Sequence, residues 1–563
     1  MKNKKFLSLF LVLTLIITGL VGCSGKEDQE TGGEPVDEGQ VSNGLDSEQY
    51  LNFILDAEPS TLDPSKGSDM YSNSVLVNVM EPLTRLEEDE NQNTKLVPAG
   101  AEEWEVSEDG LVWTFKLREN YWSDGEKVTA QDYEYGIKRS ADPNTASPFS
   151  FLLTPIKNAE KVIAGELPVD ELGVKALDEN TLEITLEYPT PYFEQLTYQR
   201  VMFAQRKDIV EQYGDTFGTE PDTLVYNGPF VVSQWIHNSE VILTKNPSYW
   251  DADSVNLETV SYKIIEDRNS AYNSLANRSV DQASVNDPDW LKRFSEDENL
   301  NHIEVVRPSV NYVFFNTQDE LFQNANVRKA FSLAIDREEI AEVIFNGVHV
   351  PAYGWTPPSV LIGEDEYRAK VDEPLRAIKE QNPDPKELLI KGLEELGMDT
   401  NPENLDVTFS LGGTDQWFRT FGEYIQQVFK KNLGVEVKIE QLEWPIFDSN
   451  VNKGEFQIGY MAWTADYNDP STMMNLLEST STAIRTGWKN ERYDELIRLA
   501  GQELDHGKRL EYYKEAEEIL MDESPVAPVV FAKTNVFRYK YVNNVGVTDF
   551  NTQGFKYGFT QGR

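Results

Sequence analysis

One cysteine, Cys23, has to serve the whole 563-residue chain, so no internal disulfide can form. Histidine is nearly as scarce. His237, His302, His349 and His506 are the only four, and none shows H-x-x-x-H or H-E-x-x-H spacing, so no zinc site is expected. There is no G-x-S-x-G elbow, no Walker loop and no G-x-G-x-x-G turn after a strand. Positive charge is in deficit: 51 Lys and Arg face 96 Asp and Glu, for a net charge of −45. Phosphate backbones need a basic footprint, so nucleic acid is not an expected partner. Carboxylates are so abundant that no Asp/Glu pair stands out as an acid–base signal. A carboxylate hydrolase is the one enzyme class left open, and no enzyme activity and no cofactor are expected.

Long apolar runs are missing too, with one exception at the start. Lys2, Lys4 and Lys5 precede an apolar stretch from Phe6 to Val21, which is too short and wrongly flanked for a comfortable membrane span. A basic start, a short apolar run and a small residue before the cut make a secretory signal over 1–22. Leu20-Val21-Gly22-Cys23 resembles the lipobox of bacterial lipoproteins. That resemblance implies a lipidated Cys23, and an extracytoplasmic protein anchored to the outer face of the cytoplasmic membrane. A thiol committed to lipid leaves none for nucleophilic catalysis. Residues 23–48 are rich in Gly, Glu and Asp and nearly free of large apolar side chains. Such a segment cannot fold alone and reads as a flexible tether with a reach of roughly 25–30 Å.

Past Gln49 the patterning is mixed α/β. Tyr50 to Leu55 reads as a strand. Leu111, Trp113, Phe115 and Leu117 alternate on one face of another, and 181–186 repeats the pattern. Asn326 to Phe345 has helical spacing, with Ala330, Ala334, Ile340 and Ile344 on one side. Thr420 to Asn432 is a second helix stopped at Gly434, and the strand Val435 to Ile439 follows at once. Phe456 to Trp463 reads as a buried strand. Aromatics make up 11% of the chain, which suits either a large core or an adhesive cleft.

Three segments carry a specific resemblance. The first is Trp122-Ser123-Asp124-Gly125-Glu126-Lys127-Val128-Thr129-Ala130-Gln131-Asp132, continued by 141–148. The second joins Tyr226-Asn227-Gly228-Pro229-Phe230 to Lys245-Asn246-Pro247-Ser248-Tyr249-Trp250. The third is Ala462-Trp463-Thr464-Ala465-Asp466-Tyr467-Asn468-Asp469-Pro470. Together they resemble the oligopeptide-binding lipoproteins of ABC importers, and Asn326 to Ala330 with Ala334 to Arg337 match the wider peptide/nickel-binding class. The likeness implies an α/β, periplasmic-binding-protein type II-like fold of two lobes with an additional domain. By analogy, domain I would comprise 49–72, 226–310 and 529–563, domain II 73–225 and domain III 311–528. It also implies an oligopeptide ligand, ABC permease subunits as partners, and a monomer. The same fold carrying a dipeptide or signalling peptide, or acting as an adhesin or chaperone-like lipoprotein, is the alternative.

A peptide receptor must hold a backbone while ignoring side chains, as strand addition does. A fixed carboxylate can then set register by pairing with the free α-amine. Asp466 occupies the family's amine-binding position, just past a strand end, where α/β folds open on ligand crevices. Its plain structural role would be a turn residue before Asn468-Asp469-Pro470. The resemblance further implies backbone pairing at Ala462 and Thr464, pocket aromatics at Trp463 and Trp444, and peptide contacts at Phe149, Met70 and Tyr312. Phe149 stands where relatives often carry a tyrosine. Val451, Asn452 and Tyr460 stand where some relatives carry basic residues that meet the peptide carboxylate. The amine end is thus retained with one partner fewer, and the carboxylate end is altered, which favours longer peptides.

Overall fold

The computed structural model describes residues 44–88, 94–547, 550 and 553–563. The signal at 1–22, Cys23 and the tether up to residue 43 lie outside the described residues. Among the described residues, no helix is long and apolar enough to cross a membrane.

Strand Tyr50–Leu55 forms as its alternation demands, with Leu51, Phe53 and Leu55 turned inward. It runs parallel to Thr259–Ile264. Glu240–Lys245 and Phe230–Ile236 complete a four-stranded sheet by antiparallel pairing. A second four-stranded sheet is antiparallel throughout, in the order Ala101–Val106, Val112–Leu117, Thr181–Thr185, Val174–Ala176. Trp113, Phe115 and Leu117 line its core face, and Trp113 packs on Phe193 at 5.2 Å between centroids.

The first two motifs are structural. Gly125, at φ +92°, closes a tight turn in which Trp122 N–H donates to the Glu126 carbonyl. Trp122 is fully buried and its indole donates to Asp132 at 3.3 Å. Asp132 in turn forms a capping box with Thr129 at the start of helix Ala130–Ala141. The second motif gathers around Glu81, which is fully buried and paired with Arg85. Tyr249 Oη and Trp250 Nε1 both donate to Glu81 Oε1, at 3.0 and 2.9 Å. Asn227 Oδ1 accepts from the Glu81 N–H at 2.9 Å, and Asn246 Nδ2 donates to the Gly228 carbonyl at the same distance. A buried carboxylate needs such partners, since an unpaired charge there costs several kcal/mol.

Two long strands dominate the rest. Leu300–Phe315 and Val526–Tyr539 run antiparallel through the middle of a seven-stranded sheet. Its order is Gln282–Ser284, Val526–Tyr539, Leu300–Phe315, Ile458–Thr464, Val407–Leu411, Val437–Gln441, with Val350–Pro351 also paired to Val526–Tyr539. The ladder between the long strands is broken by a register shift between Val306 and Val310, around Pro308.

The helix expected over 326–345 is two helices, Ala325–Ala334 and Arg337–Val343. Asp336 accepts from the N–H groups of Glu338 and Glu339 and so starts the second. Arg337 is buried, and its guanidinium donates to the carbonyls of Ser332, Ile335, Ala352 and Pro528. Those carbonyls fix the break, which apolar spacing alone does not reveal. The second expected helix is Gln416–Leu433, which starts four residues earlier than expected because Asp415 caps it. Gly434, at φ +80°, ends it, and the following strand is Val437–Gln441.

Candidate functional site

Strand Ile458–Thr464 is paired unequally on its two sides. Toward Leu300–Phe315 it is paired along its whole length, from Phe315↔Ile458 to Ser309↔Thr464. On the other side it pairs with Val407–Leu411 only as far as Leu411↔Tyr460. Gly412 and Gly413 then carry the neighbouring chain away. Among the described residues, the edge from Met461 to Thr464 has no partner on that side.

The direction of its backbone groups follows from one bond. Ala465 N–H donates to the Pro308 carbonyl at 2.7 Å, toward the paired side. In a β-ladder alternate residues aim both N–H and C=O the same way. Trp463 and Met461 therefore face the paired strand, and Ala462 and Thr464 face the open edge. The side chains of Ala462 and Thr464 are solvent-exposed. Trp444 is 51% exposed at the start of helix Trp444–Lys453. Its ring lies against Gly412, where a Cβ would come within 2.9 Å of Trp444 Cε3. It thus stands where the neighbouring strand leaves off. Trp463 is half-buried, and among the described residues its indole Nε1 has no hydrogen-bond partner. Tyr312 is fully buried opposite Met461, with its ring edge on Trp355 at 5.1 Å. It belongs to the core behind the strand.

Asp466 follows two residues past the strand. Its N–H donates to Thr472 Oγ1 at 2.9 Å and its carbonyl accepts from Gln199 Nε2 at 2.7 Å. Among the described residues, no side chain or backbone group bonds its carboxylate. The residue is half-buried, and burial alone pushes its carboxyl up to about 7. The rest of the motif is committed to structure. Asp469 forms a buried pair with Arg509, whose Nη2 reaches both carboxylate oxygens at 2.8 and 2.9 Å. Tyr467 stacks on Tyr192 at 5.3 Å. Asn468 Oδ1 accepts from the Leu361 N–H at 2.8 Å. The loop is held rigid while one carboxylate is left free.

Phe149 and Met70 are joined to this region through residues 199–200. Arg200 Cζ sits 5.0 Å over the Phe149 ring, and its Nη2 donates to the Asp69 carbonyl, next to the exposed Met70. Arg200 is itself buried, which lowers its pKa to about 10 against the pull of Asp69. Gln199 and Arg200 escaped the sequence reading because they lie in a short irregular turn with no periodicity. Of the positions the resemblance assigns to the peptide carboxylate, Val451 is buried, Asn452 Nδ2 donates to Asp448, and Tyr460 Oη donates to Asn311 Oδ1 at 2.9 Å. None of the three offers a cation.

The model of the family described as "Bacterial extracellular solute-binding proteins, family 5 Middle" matches residues 95–484. The chain belongs to that family. It is 33% identical over 531 residues to the dipeptide-binding protein DppE of Bacillus subtilis, covering 94% of each chain. It is 33% identical over 483 residues to the periplasmic oligopeptide-binding protein OppA of Salmonella typhimurium, covering 84% of this chain and 86% of that one. Among solved structures it resembles Haemophilus influenzae OppA in complex with RPPGFSPFR, with a TM-score of 0.77 and 25% identity over 92% of this chain and all of the other. The family 5 proteins form a solute-binding family, and the two-lobed periplasmic-binding α/β class expected from the motifs is the class observed.

Proposed function

We propose that this family 5 protein is the peptide receptor of an ABC importer, lipidated at Cys23, that captures oligopeptides and hands them to permease subunits at the outer face of the cytoplasmic membrane. One observation carries the reading: among the described residues, an unpaired strand edge at Ala462 and Thr464 ends beside a half-buried carboxylate, Asp466, that has no partner. An extended peptide adds to such an edge through its own N–H and C=O groups, which gives affinity without reading side chains. Its α-ammonium then supplies the charge that Asp466 lacks. The names of the relatives, which bind dipeptides and oligopeptides, support the same cargo class.

The three-part division into 49–72 with 226–310 and 529–563, then 73–225, then 311–528, belongs to this proposal. Its support is that the boundaries at 310 and 529 fall within the two long strands, which would cross between lobes. The absence of a cation at Val451, Asn452 and Tyr460 favours peptides whose carboxyl end extends beyond the first few residues. Native mass spectrometry of protein purified from cells tests the function. Co-purifying peptides of four residues or more are expected. Protein that carries no peptide and binds none from a tryptic digest would refute it.

A further inference from the structure

We infer that the site prefers peptides with an aromatic third residue, whose ring is received by Trp417 and Phe418 at the start of helix Gln416–Leu433. The inference rests on the peptide reading given above and narrows its cargo. Backbone pairing at Ala462 and Thr464 is blind to side chains, but the two faces of the strand are not alike.

Register comes first. Asp466 lies past the C-terminal end of strand Ile458–Thr464. A peptide whose α-ammonium meets it enters at that end and runs antiparallel. The outward-facing backbone groups belong to Thr464 and Ala462, so the first peptide residue pairs with Thr464 and the third with Ala462. Directly opposed residues of a ladder share a face. Side chains one and three therefore lie on the face of Ala462 and Thr464, and side chain two on the face of Met461 and Trp463.

The helices decide what each face offers. Tyr460 shares the face of Ala462, two residues along. Phe421 packs on Tyr460 at 4.3 Å between centroids, and a Cβ on Gly422 would come within 3.1 Å of Leu411, the partner of Tyr460. Helix Gln416–Leu433 thus covers this face. Helix Trp444–Lys453 covers the other, where Phe447 meets Phe314, opposite Gly459, at 6.4 Å. The first turn of helix Gln416–Leu433 begins just after strand Val407–Leu411 stops, beside the row that an added peptide takes up. Trp417 lies 6.0 Å from Tyr460 and stacks on Phe421 at 5.3 Å. Phe418 meets Trp417 edge-on at 5.0 Å and rests on Gly413, where any Cβ would strike its ring at 2.1 Å. Trp417 and Phe418 are only half-buried, and the small side chain of Ala462 is exposed, so the bay between them is open to a ring. None of Trp417, Phe418, Tyr460 and Ala462 carries a charge. An acidic side chain placed there loses water and gains no ion partner from them.

The test uses the full chain and calorimetry with tetra-alanine, Ala-Ala-Phe-Ala, Ala-Phe-Ala-Ala and Ala-Ala-Glu-Ala. Ala-Ala-Phe-Ala should bind about tenfold tighter than tetra-alanine, the gain from covering a phenyl ring in a half-open aromatic bay. Ala-Ala-Glu-Ala should bind no tighter than tetra-alanine. Phe418→Ala and Trp417→Leu should each cut the gain from phenylalanine at position three to about threefold or less, with tetra-alanine held within about twofold of wild type. The affinity of Ala-Phe-Ala-Ala, whose ring falls on the face of Trp444, should change no more than that of tetra-alanine. Melting temperatures show that each variant folds; should Trp417→Leu not fold, Phe418→Ala and the wild-type peptide series still decide. A third-position phenylalanine that binds no tighter than alanine, or a gain that survives both substitutions, would overturn the inference and leave the peptide receptor standing. If none of the four peptides and nothing in a tryptic digest binds, the receptor reading falls and this inference falls with it.

Discussion

Replacing Asp466 by Asn keeps the side-chain shape and removes the charge. The magnitude follows from the site. Burial lifts the carboxyl from 3.8 to about 7 in the empty protein. Three units at about 1.4 kcal/mol each put the cost of ionising the empty site at about 4 kcal/mol, and partial solvent access discounts this to about 2 kcal/mol at the low end. A peptide ammonium that restores the charged state recovers this amount. Asp466→Asn should therefore weaken a free-amine peptide by roughly 30- to 1,000-fold at pH 7.5. The pH dependence has a definite sign. Below about 7 the empty carboxyl holds a proton that binding must expel, so wild-type affinity falls by up to about tenfold per unit as pH drops. Above about 8 the α-amine itself begins to lose its proton. Affinity thus peaks between about pH 7 and 8, and the mutant loses the acid limb. Stability moves oppositely. A carboxyl raised in the folded state contributes stability at low pH that is lost as pH rises through about 7. The melting temperature of ligand-free Asp466→Asn should exceed wild type most at pH 8, by less at pH 5, and match it only below the unfolded carboxyl's 3.8. Calorimetry across pH 5.5–8.5 decides the matter. Mutant affinity within threefold of wild type, or a flat wild-type profile, would show that Asp466 is only a turn residue.

Cys23→Ser should move the protein from the detergent phase to the aqueous phase, because no other thiol exists to take lipid; equal partitioning of both forms would refute the anchor. Arg509→Met leaves the Asp469 carboxylate buried without its cation, and should destabilise the fold by about 3–5 kcal/mol, read by urea denaturation. A peptide N-methylated along its first residues loses donors to the open edge at Ala462 and Thr464, and calorimetry should show at least about fivefold weaker binding; undiminished binding would rule out strand addition. Saturating peptide should lower the radius of gyration in small-angle scattering as the lobes close, and an unchanged value with binding confirmed would rule closure out.

Local patterning carried the strands well. Alternation at 111–117 and 181–186 depends only on neighbouring side chains and one buried face, so Trp113, Phe115, Leu182 and Ile184 were readable. The break at Ile335 was not, because it depends on Arg337 reaching carbonyls as distant as Pro528. The motifs revealed the family without revealing their own work. Trp122, Asn227 and Tyr249 stand in the sequence only as members of the motifs, and in the fold they are buried hydrogen-bonding groups. At the site, the position of Asp466 past a strand end was legible, and so was the position of Ala462 and Thr464 on one strand. The open edge was not, because it arises where a different strand stops, at Leu411. Gln199 was invisible for the same reason: its meaning comes from a contact made 267 residues away.

The register shift at Val306 to Val310 has a mechanical consequence. Residues 307–309 face Ala532 alone across the ladder, so the register pairing is interrupted at this level, where Arg307 Nε still donates to Thr534 Oγ1 at 3.2 Å. On its other side the same level stays paired, through Ser309↔Thr464 and the Ala465 N–H to Pro308 carbonyl bond. The ladder is interrupted a second time between Asn311 and Tyr312, so this stretch is expected to bend more easily than the continuous pairing on either side. Backbone amides at Arg307 and Ser309 should then exchange with deuterium faster than those at Val305 or Val313.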